Sequence, residues 1–299
     1  MTNSQLRTRS ASRMHAAVKV RSWLAEAAAV LVFLLFMAPF YMVVINSAKL
    51  SVAIIDNPLS LPTSWVQLIT NIKAILTNPN IRYWTSFRSS ALITVVSLLI
   101  IVLFSAMAAW ILVRSHAWWS NLIFMVFVAA MVVPFQVVMF PLVSWFRAVE
   151  LATGIALLRN YTGIIFAYLG FGSSMAIFIF HGFIKGVPLE LEEAATIDGC
   201  TRAGTFFRIV FPILQPVIVT VLILNGIWVW NDYLLPLMIL GSNSAVRTLP
   251  LAVQSFVGSY VKQWDLILTA TLMAMLPLII LYLFAQKYII KGMVEGSIK

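Results

Sequence analysis

A single cysteine, Cys200, in 299 residues excludes an internal disulfide. The three histidines, His15, His116 and His181, are too far apart in the chain to show a metal-ligand spacing. No Gly-x-x-x-x-Gly-Lys-Ser/Thr run is present, so there is no phosphate-cradling loop of that kind. No Gly-x-Ser-x-Gly nucleophile turn is present either. No motif predicts an enzyme, a bound cofactor or a metal site in this chain. Charge is scarce: 10% of residues are charged, against about a quarter in a soluble domain. Within the apolar runs only Glu26 and Asp232 carry charge, both near the ends of a run. Carriers driven by protons place ionisable groups deep in the membrane, and these are missing. Their absence weighs less against a sodium-driven carrier, because backbone carbonyls can hold that ion.

What the chain has instead is apolar surface. It is 62% hydrophobic, with a mean hydropathy of +0.97. A membrane-spanning helix needs about 20 apolar residues. Six runs meet that length: 24–45, 91–113, 121–143, 161–180, 213–235 and 266–286. They predict an all-α, polytopic membrane protein with one transmembrane domain over 24–286, flanked by tails at 1–23 and 287–299. The first run is too long for a signal-peptide core and is read as a retained helix. Pro134 and Pro141 predict kinks in the third run. With the N-terminus inside, 12 of the 20 Lys and Arg fall in inner loops and tails and 8 in outer ones. The excess favours both termini on the cytoplasmic side. The net charge of +10 is spread over loops and tails, with no compact basic module for nucleic acid.

One polar island interrupts the apolar pattern, between Pro188 and Pro216, on the cytoplasmic side of that topology. Four of the ten acidic residues lie in its first eleven positions: Glu190, Glu192, Glu193 and Asp198. Pro188 suits a first helical turn, and the glutamates then sit where the helix dipole favours negative charge. Gly199 is a natural stop and Thr201 a natural cap for a second helix. In that helix Phe206, Ile209 and Val210 share a face, and Pro212 closes the unit. The pattern reads helix, turn, helix. In the first helix Leu191, Ala194, Ala195 and Asp198 are predicted to share a face, where paired alanines allow close approach. Charge, small residues and a glycine stop fit an amphipathic surface loop and a docking element equally.

A second group of polar residues lies in the fifth run. Asn225, Trp228 and Asp232 fall on one helical face by their spacing. Amide and aromatic groups together suit a sugar, but Trp and Tyr also gather at membrane interfaces, and Trp230 and Tyr233 are assigned there. Asn231 is a candidate for a solute path, and Asn225 and Trp228, deeper in the helix, fit a solute path and simple packing equally. Gln136, beside Pro134, joins them as either a path group or an interhelical bond.

The run Glu193-Ala194-Ala195-x-x-Asp198-Gly199, continued by Phe206-x-x-Ile209-x-x-Pro212-x-x-x-Pro216, resembles the "EAA" loop of ABC importer permeases. The third-run segment from Pro134 to Leu142, the Trp230-Asn231-Asp232-Tyr233 segment, Thr248-Leu249-Pro250-Leu251 and the tail from Gln286 resemble the smaller permease of maltose-type carbohydrate importers. Cys200 stands where that family usually has alanine, and Gly172-Ser173-Ser174 is less typical of it. The resemblance implies a type I importer fold with a coupling helix in the loop 185–212. It further implies a second permease subunit, two ATPase subunits that bind the ATP and magnesium, and an extracytoplasmic sugar-binding protein, all in a bacterial inner membrane. Glu190, Glu193, Ala194, Ala195, Asp198 and Gly199 would then serve the ATPase contact, Glu193 by pairing with a basic residue. Phe206, Ile209 and Pro212 would anchor the loop. The loop 241–247 would face the binding protein, and the tail to Lys299 the ATPases. The rival expectations are a stand-alone carrier or channel and a membrane scaffold.

Overall fold

The computed structural model describes residues 3–297 except 80, 243, 255 and 257–262. Side chains are described from residue 22 onward, leaving out 285 and 287–297 as well. The expectations for the side chains of both tails, and for Lys299, therefore lie outside the described residues. The elements are all helical: α1 (Asn3–Asn46), α2 (Ser51–Asp56), α3 (Val66–Thr77), α4 (Tyr83–Arg114), α5 (Trp118–Val132), α6 (Phe135–Thr153) and α7 (Tyr161–Ile184). After these come α8 (Glu190–Ile197), α9 (Arg202–Thr205), a π-helical turn (Phe206–Val210), α10 (Phe211–Ile213), α11 (Gln215–Asn231), α12 (Leu234–Ile239), α13 (Leu249–Gln254) and α14 (Trp264–Ser297). Among the described residues five helices are long and apolar enough to cross a membrane, and a bent pair, 202–213 with 215–231, makes six if it is counted as one span.

The chain divides into two compact units, residues 1–73 with 262–272, and residues 74–261 with 273–299. In the first unit, every side chain of α1 from Ser22 to Tyr41 is exposed. A helix that is apolar all round belongs in lipid or against another protein. After α1 the chain is held by polar bonds. The Lys49 ammonium is buried and donates to Asn46 Oδ1 at 2.9 Å, to the Asn57 carbonyl at 3.0 Å and to Ser60 Oγ at 3.2 Å. Asn71 Nδ2 and Thr269 Oγ1 both donate to the Ser47 carbonyl. The loop expected between the first two spans is thus partly helical, through α2 and α3.

The second unit is built around α4 and α7, which share its most extensive helix contact. Their buried faces carry Ser89, Ser90, Ser97, Ser105, Ala106 and Ala109 on α4, and Gly163, Ala167, Gly172, Ser174 and Ala176 on α7. Small residues let helices approach closely where lipid leaves no hydrophobic force between them. One core cluster joins Ile101, Phe180, Phe206 and Leu214; the other joins Ile93, Phe146, Tyr168 and Leu240.

Two spans differ from expectation. The third, predicted as 121–143, is two helices, α5 and α6, separated at Val133–Pro134. The residue before a proline is pushed out of helical geometry, and Val133 is extended at φ −72°, ψ 117°. Pro141 lies inside α6 without ending it. The two pieces run along α7 in the antiparallel sense: Phe124 stacks on His181, Phe135 meets Phe171, and Phe146 meets Phe166. The fifth span, predicted as 213–235, ends at Asn231, because Asp232 turns extended and accepts the Leu234 amide at 3.0 Å to start α12.

Candidate functional site

The polar island is locally determined. Three glutamates occupy the first turn of α8, where exposed N–H groups favour negative charge. The helix stops in a Schellman motif. Gly199 is left-handed at φ +81°, its N–H bonds the Thr196 carbonyl at 3.0 Å, and the Cys200 N–H reaches back to Ala195 at 2.9 Å. Thr201 Oγ1 then accepts the Gly204 amide at 3.1 Å and caps α9. The second helix of the island, expected to be continuous, is interrupted. Phe206–Val210 form a π-turn, closed by the Phe211 N–H on the Phe206 carbonyl. Pro212 and Pro216 have no N–H to continue a regular ladder, and the chain bends by 75° between 202–213 and 215–231. Turns of this kind often mark functional positions.

The faces of α8 differ from expectation in one respect. Glu190, Leu191, Glu193, Ala194 and Asp198 are exposed, but Ala195 is buried together with Glu192. Ala195 therefore faces the protein's own body, and Ala194 alone of the pair is open to a docking surface. Ile197 is 86% exposed on the open side. Sequence reasoning passes over it, although an isolated isoleucine in a polar island is a visible signal.

Glu192 is likewise absent from the site residues expected from sequence. Its Oε1 accepts Arg114 Nε at 2.8 Å, and its Oε2 accepts the Trp110 indole N–H at 2.9 Å. Arg114 also donates to the Val187 carbonyl at 2.9 Å. Beside this group lies a cavity of about 450 Å³ lined in part by Trp110, Trp119, Glu193, Thr196 and Arg202. Phe206 is fully buried with its ring 5.4 Å from Trp110; Ile209 is half-buried and Pro212 is exposed at the bend.

The candidates for a solute path separate into two kinds. Asn225 is 2% exposed; its Nδ2 donates to the Val221 carbonyl at 3.2 Å, and its Oδ1 lies against Gly172. A Cβ on Gly172 would stand 2.9 Å from that oxygen. Asn225 thus fills the junction of α7 and α11 and faces no open path, which also gives Gly172 a physical role. Trp228 remains partly exposed, 5.4 Å from the Tyr168 ring at a right angle. The Tyr168 hydroxyl donates to Asp232 at 3.2 Å and holds that edge in place. Asn231 is exposed, and its Nδ2 donates to the Ile227 carbonyl of its own helix at 2.9 Å. Gln136 is exposed at the start of α6, on a different helix. Trp230, assigned to an interfacial belt, is buried instead. It donates to the Ala274 carbonyl at 3.1 Å and meets Phe87 edge-on.

Comparison with known proteins gives this geometry a family. The sequence model described as "Binding-protein-dependent transport system inner membrane component" matches residues 101–295. A probable starch degradation products transport system permease protein of Thermoanaerobacterium thermosulfurigenes is 38% identical over 94% of this chain and 98% of its own length. A multiple sugar-binding transport system permease protein of Streptococcus mutans is 33% identical over 89% of this chain and 93% of its own. Among solved structures, a bacterial ABC transporter involved in the import of the acidic polysaccharide alginate has a chain with the same fold. Its TM-score is 0.71 at 18% identity, over 89% of this chain and 96% of that one. The chain is a multi-pass membrane permease subunit, not itself an enzyme, and it belongs to the family of binding-protein-dependent transport system inner membrane components.

Proposed function

We propose that this chain is the smaller of two permease subunits in an ATP-driven importer of carbohydrate, of the oligosaccharide class, with α8 as its coupling helix. The observation that carries the coupling role is the open face of α8. Glu190, Leu191, Glu193, Ala194, Ile197 and Asp198 are held outward by a helix whose two ends are fixed by local bonds. Acidic and apolar groups side by side fit a cleft that offers a basic residue and an apolar floor. Two ATPase subunits would bind there, carrying the ATP and magnesium. Closure of the ATPase pair would move α8, and Phe206, Ile209 and Pro212 would pass the movement to the membrane helices. A second permease would cover the exposed faces, and an extracytoplasmic binding protein would deliver the solute near the loop 241–247. The names of the relatives support a sugar as cargo. The Lys and Arg distribution supports a cytoplasmic position for both termini.

Purification from native membranes in mild detergent, followed by mass spectrometry, tests the assembly. An ATPase and a second permease are expected in the complex; the chain emerging alone at every detergent strength overturns the reading. The solute path has its own test. Trp228→Ala should lower uptake by about tenfold, the worth of one well-placed aromatic contact, while the complex stays assembled. Loss of assembly in that variant would make Trp228 a packing residue.

A further inference from the structure

We infer that Glu192 and Arg114 form a positioning link that hands the movement of α8 directly to α4. The inference rests on the reading of α8 as the coupling helix. Arg114 is the last residue of α4, and its guanidinium straddles two points of the loop: the Glu192 carboxylate within α8 and the Val187 carbonyl just before it. Trp110, one turn earlier on α4, takes the second carboxylate oxygen. Both oxygens of Glu192 are therefore bonded to one helix. The group is shielded, with the Glu192 side chain 9% and the Arg114 side chain 20% exposed. A planar guanidinium bonded at two edges holds orientation as well as distance.

The surroundings explain why the link matters. α8 packs on α9 and on the π-turn. Towards α4 it faces the 450 Å³ cavity, where packed apolar side chains are replaced by space. The other routes from α8 lead through the π-turn, where Phe206 packs on Trp110 of α4, and along the chain past a 75° bend. The π-turn and the bend both interrupt the regular helical ladder. α4, by contrast, is a continuous helix of 32 residues that packs along α7 and α11. Through Glu192 and Arg114 the loop is tied directly to the helix that this unit is built around. A buried ion pair is weak evidence for stability, and its best-supported use is to fix one arrangement among several.

Spin labels on His116→Cys, just beyond α4, and Thr196→Cys, on α8, in a Cys200→Ser background read the link without any solute. The complete complex with its ATPases is measured with and without ATP and magnesium. In the parent chain the two labels should move together, so that their distance is unchanged by ATP. In Glu192→Gln and Arg114→Met the distance should shift or broaden on adding ATP by about 5 Å, the order of a one-turn slip. Arg114→Lys, which keeps the charge, should restore part of the parent behaviour. A parent distance that changes with ATP overturns the link, as does an unchanged distance in both variants. Should the variants fail to assemble, the parent measurement alone decides. The absence of any ATPase from the purified parent complex would instead sink the coupling reading, and the link with it.

Discussion

Gly199→Val should reduce transport by at least about tenfold while leaving the membrane helices folded. Gly199 sits at φ +81°, in the left-handed region. A side chain there would meet no neighbour within 4 Å, so the cost is one of backbone conformation alone. For an L-residue that cost is about 1–2 kcal/mol, and it is larger when the side chain is β-branched. Each 1.4 kcal/mol is about tenfold in population. The Schellman bonds from Gly199 and Cys200 to Thr196 and Ala195 would open, and α8 would lose its fixed end. Gly199→Asn is the matching control, because asparagine tolerates this conformation, and it should transport close to the parent rate. Uptake in reconstituted vesicles, set against the amount of assembled complex, is the measurement. Parent-level uptake in the valine variant would remove the capped loop from the mechanism.

Gly163→Ala should weaken the membrane domain itself. Gly163 lies in the first turn of α7, where the carbonyl of Leu157 occupies the place a Cβ would take; the carbonyl carbon would stand 2.6 Å away. The obstacle is backbone, which cannot rotate aside. That backbone is also pinned, since the amides of Leu157 and Leu158 both donate to Glu150 Oε1 at 2.6 Å. Either the start of α7 or the whole 154–160 connection has to move. Overpacking of this kind costs about 1–3 kcal/mol, and a pinned backbone places it at the upper end. A fall of about 10 °C in the midpoint of heat-induced aggregation is the expected scale. Gly170→Ala, on the same helix with open space at its Cβ position, should change the midpoint little. Size-exclusion profiles after heating compare the two, and equal midpoints would show that the connection yields freely.

These expectations stand on features of different legibility. The stop of α8 and the start of α9 could be read from a few neighbouring residues, although α8 begins at Glu190, after Pro188 and not at it. A glycine stop and a threonine cap act within five positions of the chain, and both are found where the sequence places them. The apolar runs were equally readable, because spanning a membrane is a matter of length and composition. Boundaries were less so. Pro134 showed that something would happen in the third span, but not that Val133 would leave helical geometry and split it in two.

The orientation of single side chains within an element was a different problem. Glu192 and Glu193 are adjacent and chemically identical, and nothing local says which turns inward. Arg114, 78 residues away, makes that choice by offering a guanidinium to one of them. Ala195 is drawn inward on the same face. Asn225 and Trp228 share a helical face by spacing, yet the closeness of Gly172 on α7 seals one of them into a helix junction and leaves the other partly open. Trp230 carried the signature of an interfacial residue until the Ala274 carbonyl supplied its indole with a partner inside the protein.

By itself the sequence determined that this chain lives in a membrane, that it carries several apolar stretches long enough to cross it, and that one capped, acidic helix stands apart from them. These properties come from period, length and local hydrogen bonding, which belong to neighbouring residues. Only the tertiary structure decided which glutamate became an internal link, which asparagine became packing, and where the third span breaks. Those outcomes depend on the one partner, distant in the chain, that satisfies a buried polar group.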